Sequence, residues 1–397
     1  MSGWAASKDR CTDITHQHVN GGRDVRFDML RIIAMLMIIA CHFISNIGWN
    51  LEAAEEPLAS IATAADQFLG QTGTSCFFLM SGYFLVVKSF HIRRLIDVIV
   101  QTFLYSTLFL LLQVVVFLIH PTPGVSAIFA SDRLLLTMYT SLMPVFNGTY
   151  WFITAYVLML VVSPMLNYAL MASKMNSLCL IGVLLAVSIM GVLSMSPVLW
   201  NNWEYAITGY LIGGWMRLYV CDTHIYQTWS WWYTTALFVS VFIVLACIDY
   251  AAEITGIKAI LDSDSRYIIG MVPALELMAA TALFIMIMKS SVTSRFVQRW
   301  CGPALSSTVF GVYLIHNNPY VCPNLWSALT MLIPQPDSLL IGLMVGGSMT
   351  LLILVFCSLC SYIFDRLVVY PVQLKLNVFI NRLLIRYHKE NNNEKKL

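Results

Sequence analysis

The chain has 397 residues, of which 58% are hydrophobic and only 11% charged, and its mean hydropathy is +0.73. A soluble globular protein carries about 25% charged residues, so this chain lacks the polar groups to cover a water-facing surface. The net charge of +2 says little by itself; no basic block points to a nucleic-acid partner.

Residues 1–26 are polar and mixed, and no small-residue cleavage site follows the first apolar run, which therefore reads as an uncleaved anchor. A membrane span needs about 20 apolar residues. The hydropathy pattern predicts ten, at roughly 28–48, 65–87, 95–119, 150–170, 178–195, 200–219, 230–249, 270–288, 304–325 and 338–364. The second contains "GQTGTSCFFLMSGY", whose Gly, Ser and Thr favour close helix packing in lipid. The sixth opens on the polar "WNNWEYAITG". The C-terminal "RYHKENNNEKKL" is polar and is expected to be disordered or surface-bound. The expected organisation is a cytoplasmic segment over 1–26, a membrane domain over 27–370 and a cytoplasmic tail over 371–397.

Charge distribution gives the spans a direction. With both termini in the cytoplasm, ten alternating spans place 20 of the 23 basic residues inside and leave Arg133, Lys258 and Arg266 outside. The outer segments instead carry Glu52, Glu55, Glu56, Asp249, Glu253, Asp262 and Asp264. Cytoplasmic loops of membrane proteins carry just such a basic excess. The predicted fold class is an all-α integral membrane protein, a bundle of about ten transmembrane helices. It is expected as a multi-pass protein of the cell inner membrane, surrounded by membrane lipids. No pair of matching interrupted helices, of the kind inverted-repeat transporters show, is visible in the two halves. Most of the ten cysteines fall inside apolar runs, where Cys behaves as a small hydrophobe. Cys357 and Cys360 form a C-x-x-C within a long apolar helix, and we expect neither a disulfide framework nor a metal site.

The first span, "RFDMLRIIAMLMIIACHFISNIGW", holds Arg31 and His42. A helix turns about 100° and rises about 1.5 Å per residue. Eleven residues therefore bring the two to nearly the same face, about 16 Å apart along the axis. Polar groups in lipid are costly and mark function. Arg31 sits at the cytoplasmic edge, where its planar fork suits phosphates. Alone, it also reads as a positive-inside anchor. His42 sits near mid-depth, where an imidazole can take a proton near neutral pH. Asp28, three residues before Arg31, is placed to orient it. The layout suits a long anionic ligand entering from the cytoplasm.

Other polar groups are candidates with plainer readings beside them. His316, in "YLIHNN", is a second catalytic or acceptor-binding group or a structural hydrogen bond. Asn317 is a sugar-hydroxyl ligand or a helix end bending towards water. Glu276 and Glu204 polarise an imidazole, bind a sugar or are solvated at the outer interface. Trp151 stacks on a sugar ring or belongs to the aromatic belt with Tyr150 and Trp203. Ser75 and Ser81 lack the elbow of a serine nucleophile, since "LMSGY" is half of one.

Four stretches resemble acyltransferase family 3, a family of bacterial integral-membrane acyltransferases. "FDMLRIIAMLMIIACH" is similar to its first helix, with Arg, ten residues, then His. "FFLMSGYFL" resembles its second helix, "YWFITAYVLMLVVSPMLNY" its Trp-Phe-x-x-x-Tyr helix, and "GPALSSTVFGVYLIHNN" its late helix ending in Tyr-Leu-x-His. The resemblance implies transfer of an acyl group, often acetyl, from a cytoplasmic acyl-CoA. The acceptor is then a hydroxyl of a cell-surface polysaccharide or its lipid-linked precursor. It implies no bound cofactor beyond acetyl-CoA or another acyl-CoA as donor substrate. His42 becomes the general base, or briefly carries the acyl group, and Arg31 holds donor phosphates. The family often shows Arg-x-x-Arg on the inner loop after the second helix. Here "KSFHIRRLID" has Arg93 and Arg94 adjacent, and these are the donor-binding candidates or plain anchors. The rival class is a transporter or flippase of a glycan precursor, which would also need intramembrane polar groups.

Overall fold

The computed structural model describes residues 24–49, 56–121, 123–193, 201–221, 225–256, 273–290, 302–336 and 338–394. Among them every regular element is a helix. In chain order these are α1 (Val25–Asn46), α2 (Glu56–Leu85), α3 (Ile92–Ile119), α4 (Pro123–Ile128), α5 (Leu134–Leu142), α6 (Trp151–Ala172) and α7 (Lys174–Leu193). There follow α8 (Asn202–Met216), α9 (Trp231–Ile254), α10 (Pro273–Lys289), α11 (Pro303–His316), α12 (Cys322–Leu332), α13 (Leu339–Phe364) and α14 (Tyr370–Glu394). Single π-helical turns extend α8 over Arg217–Cys221 and join α13 to α14 over Asp365–Val369.

Among the described residues six helical stretches are long and apolar enough to cross a membrane: Val25–Asn46, Ile92–Ile119, Trp151–Ala172, Lys174–Gly191, Trp231–Ile254 and Leu340–Arg382. The chain is an all-α membrane protein. The count of ten is not reproduced on these criteria, for a physical reason in each case. The 30-residue α2 is long enough but carries the polar "ASIATAADQ" and "GQTGTS" stretches. With its π turn α8 runs 202–221 but carries Glu204, three glycines and Arg217; α11 has 14 residues and the described part of α10 has 17, both below a full crossing. The expected ninth span, 304–325, is two helices: α11 stops at His316 and α12 starts at Cys322. Pro319 explains the break, because a proline disfavours helical backbone in the residue before it. The tenth runs on through the π turn into α14, so residues up to Glu394 of the expected loose tail are helical. Of the basic residues counted above, Lys8, Arg10, Arg23, Lys258, Arg266, Arg295, Arg299, Lys395 and Lys396 lie outside the described residues.

Local chemistry accounts for the helix ends. Asp24 caps α1, its side chain accepting from the Arg26 amide at 3.0 Å. Asn201 and Glu204 form a reciprocal capping box at α8, so Glu204 is spent on the helix start. Pro164 sits inside α6, where it removes a backbone donor. The carbonyl it leaves, that of Leu160, takes the Ser163 hydroxyl at 2.7 Å instead.

Helix α2 is the centre of the bundle and packs on α1, α8, α9 and α10. Its contact with α8 is backbone to backbone. A Cβ on Gly82 would fall on the Tyr210 carbonyl, and one on Gly213 would fall on the Leu79 carbonyl. The small residues of the second span thus permit the close approach their composition suggests. Helix α1 lies between two apolar cores. One contains Leu30, Leu79, Tyr210 and Phe284; the other contains Ile39, Tyr105, Ile153 and Leu314. The basic ends of several helices meet on one side: Arg26 at the start of α1 donates to the Met288 carbonyl at the end of α10 (2.6 Å). Arg217, just past α8, donates to Tyr83 near the end of α2 (2.9 Å). At the opposite end Trp49 donates to the Ile333 carbonyl (3.1 Å) and Ser141 meets Tyr320 (2.6 Å).

Candidate active site

A cleft of about 990 Å³ opens between α1, α2, α3, α6 and α11. Its mouth carries Arg31, Lys88 and Arg94, all from the basic side of the bundle. Its middle is aromatic, with Phe77, Phe152 and Tyr156. Its deep wall is Ile38 and Tyr313. The α1 residues on this wall, Arg31, Met35 and Ile38, repeat at helical spacing. His42 continues the row one turn past Ile38, and His316 follows Tyr313 by three residues.

The mouth is built around a buried carboxylate. Asp28 is fully buried and accepts from Arg31 Nη1 (2.9 Å) and from the Ser306 hydroxyl of α11 (2.6 Å). It therefore fixes the base of the Arg31 side chain and ties α1 to α11. Arg31 also lies over the Phe84 ring, with 5.9 Å to the centroid. Burying one charge partner makes such a pair directional rather than a loose surface contact.

At the deep end the two histidines meet, with 3.1 Å between His42 Nδ1 and His316 Nε2. His316 is fully buried, and its Nδ1 lies 2.6 Å from the Val312 carbonyl. A carbonyl can only accept, so Nδ1 of His316 carries the proton. In the neutral ring Nε2 is then an acceptor, and the proton between the rings belongs to His42 Nδ1. Neutral His42 is left with a bare lone pair on Nε2. The carbonyl of one helix thus sets the tautomer of a ring on another, through a second ring.

The loop after His316 is also held. Asn317 ends α11 and donates to the Tyr313 hydroxyl at 3.2 Å. Asn318 is fully buried and donates to Tyr150 at 2.7 Å, while Tyr150 donates to the Leu314 carbonyl at 3.2 Å. The abrupt end of α11 is therefore an ordered feature that presents His316.

A family model described as an acyltransferase domain, that of acyltransferase family 3, matches residues 24–363. The chain belongs to that family. As a member of acyltransferase family 3 it is an enzyme that transfers acyl groups other than amino-acyl groups. No curated protein and no solved structure gives a match.

Within this acyltransferase the site residues expected from the sequence separate into two groups. Arg31, Asp28, Arg94, His42, His316 and Asn317 lie in or beside the cleft and its histidine end. The others lie elsewhere. Arg93 bonds Asn381 of α14, and Gln373 and Asn377 of the same helix face bond Asp97. Arg93 is thus part of a polar seam between α3 and α14. Glu276 is fully buried in α10, outside the cleft lining. Trp151 packs edge-on against Phe152, and it is Phe152 that lines the cleft. Sequence reasoning did not single out Lys88, Gln101 or Tyr313. Lys88 stands just past the apolar second helix, and Tyr313 stands one turn before His316, so both carried a positional signal.

The adjacent arginines give a direct test. Arg31→Ala and Arg94→Ala are expected to raise the KM for the acyl donor about tenfold each, as loss of a charge-assisted bond would. Arg93→Ala is expected to leave it unchanged. Equal effects at Arg93 and Arg94 in donor-saturation kinetics would contradict this division.

Proposed function

We propose that this enzyme moves an acyl group, acetyl being the simplest, from a cytoplasmic acyl-CoA to a hydroxyl of a cell-surface polysaccharide or its lipid-linked precursor. The observation that carries the reading is one continuous cleft. It runs from a mouth with three basic residues to within a turn of a tautomer-fixed histidine. The mouth suits a donor that is a polyanion at one end. The aromatic middle suits its uncharged arm, and the deep wall receives the thioester.

On this reading the membrane topology is the one the charges suggest, with ten crossings, both termini in the cytoplasm and the basic mouth facing inward. His42 keeps partial exposure, and Ser45 and Asn46 one turn beyond it are exposed. The acceptor therefore approaches from the end opposite the donor.

The chemistry balances on these groups. His42 Nε2 takes the proton of the acceptor hydroxyl as its oxygen attacks the thioester carbonyl. The C–O bond forms, the tetrahedral intermediate collapses, the C–S bond breaks, and the imidazolium returns the proton to the departing thiolate. The products are an ester and free CoA. Tyr313 supplies a hydrogen bond to the oxyanion: its oxygen already accepts from Asn317, so its own proton remains to be given. Tyr313→Phe is expected to lower kcat about 10²-fold with little change in donor KM. A fall in donor affinity instead would show that the hydroxyl binds rather than catalyses.

The reading itself is tested with purified protein in detergent, labelled acetyl-CoA and an acceptor extract. Label should enter the glycan fraction with one free CoA released per transfer. A transporter or flippase would leave the acetyl-CoA intact.

A further inference from the structure

A second buried polar assembly lies beside the cleft, and the mechanism above does not use it. Asp365 is 3% exposed and sits at the π-helical turn between α13 and α14. Its Oδ1 accepts from the Tyr105 hydroxyl (2.9 Å) and from Gln101 Nε2 (3.1 Å). Its Oδ2 accepts from the Ser361 hydroxyl (3.1 Å). Tyr105 and Ser361 are also 3.0 Å apart, and Ser361 lies 3.3 Å from the Thr308 carbonyl. Gly311 of α11 makes room for this group, since a Cβ there would overlap the Ser361 hydroxyl. Among the described residues no cation pairs with Asp365. A buried carboxyl is costly unless its oxygens are hydrogen-bonded, and π turns gather at functional sites.

Only one member of the assembly reaches the cleft. Gln101 lines it, on the same α3 face as Arg94 and Val98. Seven residues separate Arg94 from Gln101, which is about two turns and about 10 Å of rise. Gln101 is thus deeper than the basic mouth by about 10 Å. Its amide nitrogen is committed to Asp365, on the oxygen that also receives Tyr105. With the nitrogen so engaged, the carbonyl is the group of this cleft-lining side chain that is left to offer a ligand. A glutamine whose NH₂ is held by a carboxyl is a fixed acceptor rather than a rotating amide.

We propose that Gln101 selects the donor: its carbonyl accepts a hydrogen bond from an amide N–H on the arm linking the donor's diphosphate to its thioester, and Asp365 holds it in that orientation. The proposal rests on the acyl-CoA reading above. The arm of a CoA thioester carries two amides between those ends, and Gln101 stands between the cleft's basic mouth and its deep wall. Discrimination follows, because a polar group that is satisfied by one ligand is left unpaired by a ligand lacking the N–H. Asp365 is a positioning residue here, since it acts through Gln101.

The test is donor kinetics on the full chain with acetyl-CoA and two analogues, each with one amide N–H replaced by an ester oxygen. With wild type, one analogue should show a KM raised about tenfold, as for one lost hydrogen bond. Gln101→Leu should raise the KM for acetyl-CoA by a similar factor, leave kcat within a few-fold, and add nothing further with that analogue. Asp365→Asn should raise the acetyl-CoA KM less than Gln101→Leu, because an asparagine lets the glutamine amide turn. Additive losses for variant and analogue, or wild-type indifference to both analogues, would overturn the role of Gln101. The wild-type analogue comparison decides this even where the leucine variant fails to fold. A wild type that does not use acetyl-CoA at all would overturn the donor reading instead.

Discussion

Replacing His42 by alanine should remove acyl transfer while leaving the protein folded and in the membrane. A positioned general base is worth about 10²–10⁴ in rate, and no second base stands at the same place. His316 does not take its place: its ring is fully buried and its Nδ1 is held by the Val312 carbonyl, so the Nε2 that the variant frees stays behind the vacated position. The side chain is half-buried, one turn beyond the cleft wall at Ile38, and belongs to neither apolar core, so its loss should cost little stability. The measurement is release of free CoA, with detergent-solubilised yield as the control for folding. Normal transfer in the variant would end the assignment of His42 as base. The same experiment separates two roles. If Nε2 carries the acyl group rather than taking a proton, wild type should show ping-pong kinetics and a trappable acyl-enzyme. A direct transfer should show neither.

The first helix was the most legible part of the site. Arg31 and His42 share a face by arithmetic alone, and Asp28 is spaced to reach Arg31; both relations hold in the fold. Close packing through the small residues of "GQTGTSCFFLMSGY" was legible too, because in lipid the absence of side chains is itself the packing signal. What could not be read was anything that depends on a pair of helices distant in sequence. His316 lies 274 residues from His42, and nothing local says that their rings meet. Arg93 and Arg94 are chemically identical neighbours, yet a 100° rotation sends one to α14 and the other to the cleft. Glu276 looked near enough to the interface to be solvated, because its depth was judged from its own helix. The neighbours that bury it come from elsewhere. Hydropathy also failed at "HNNPYVCPN", where an apolar average hid two prolines and the end of α11.

Changing His316 should lower kcat with little effect on donor KM, and the pattern across variants tests why. Its ring accepts the Nδ1 proton of His42, which leaves Nε2 of His42 bare and aimed away from the pair. Without that acceptor His42 is free to adopt the other tautomer, with its proton on Nε2, where it cannot act as a base. Loss of a group that fixes a catalytic tautomer costs up to about 10⁴ in rate. For His316→Ala we expect a loss of about 10²-fold or more, because His42 also gains room to turn. His316→Gln should recover part of it. A glutamine can donate its NH₂ to the Val312 carbonyl and still offer a carbonyl to His42, so it reproduces both ends of the connection. His316→Leu fills space without either and should resemble alanine in rate. A leucine variant as active as wild type would show that His316 only packs. Equal losses for glutamine and leucine would show that the ring is needed for something other than the tautomer, contact with the acceptor being the first alternative. An unchanged donor KM across all three variants, with kcat ordered wild type, Gln, then Leu and Ala, is the signature of a residue that sets the protonation geometry of the base.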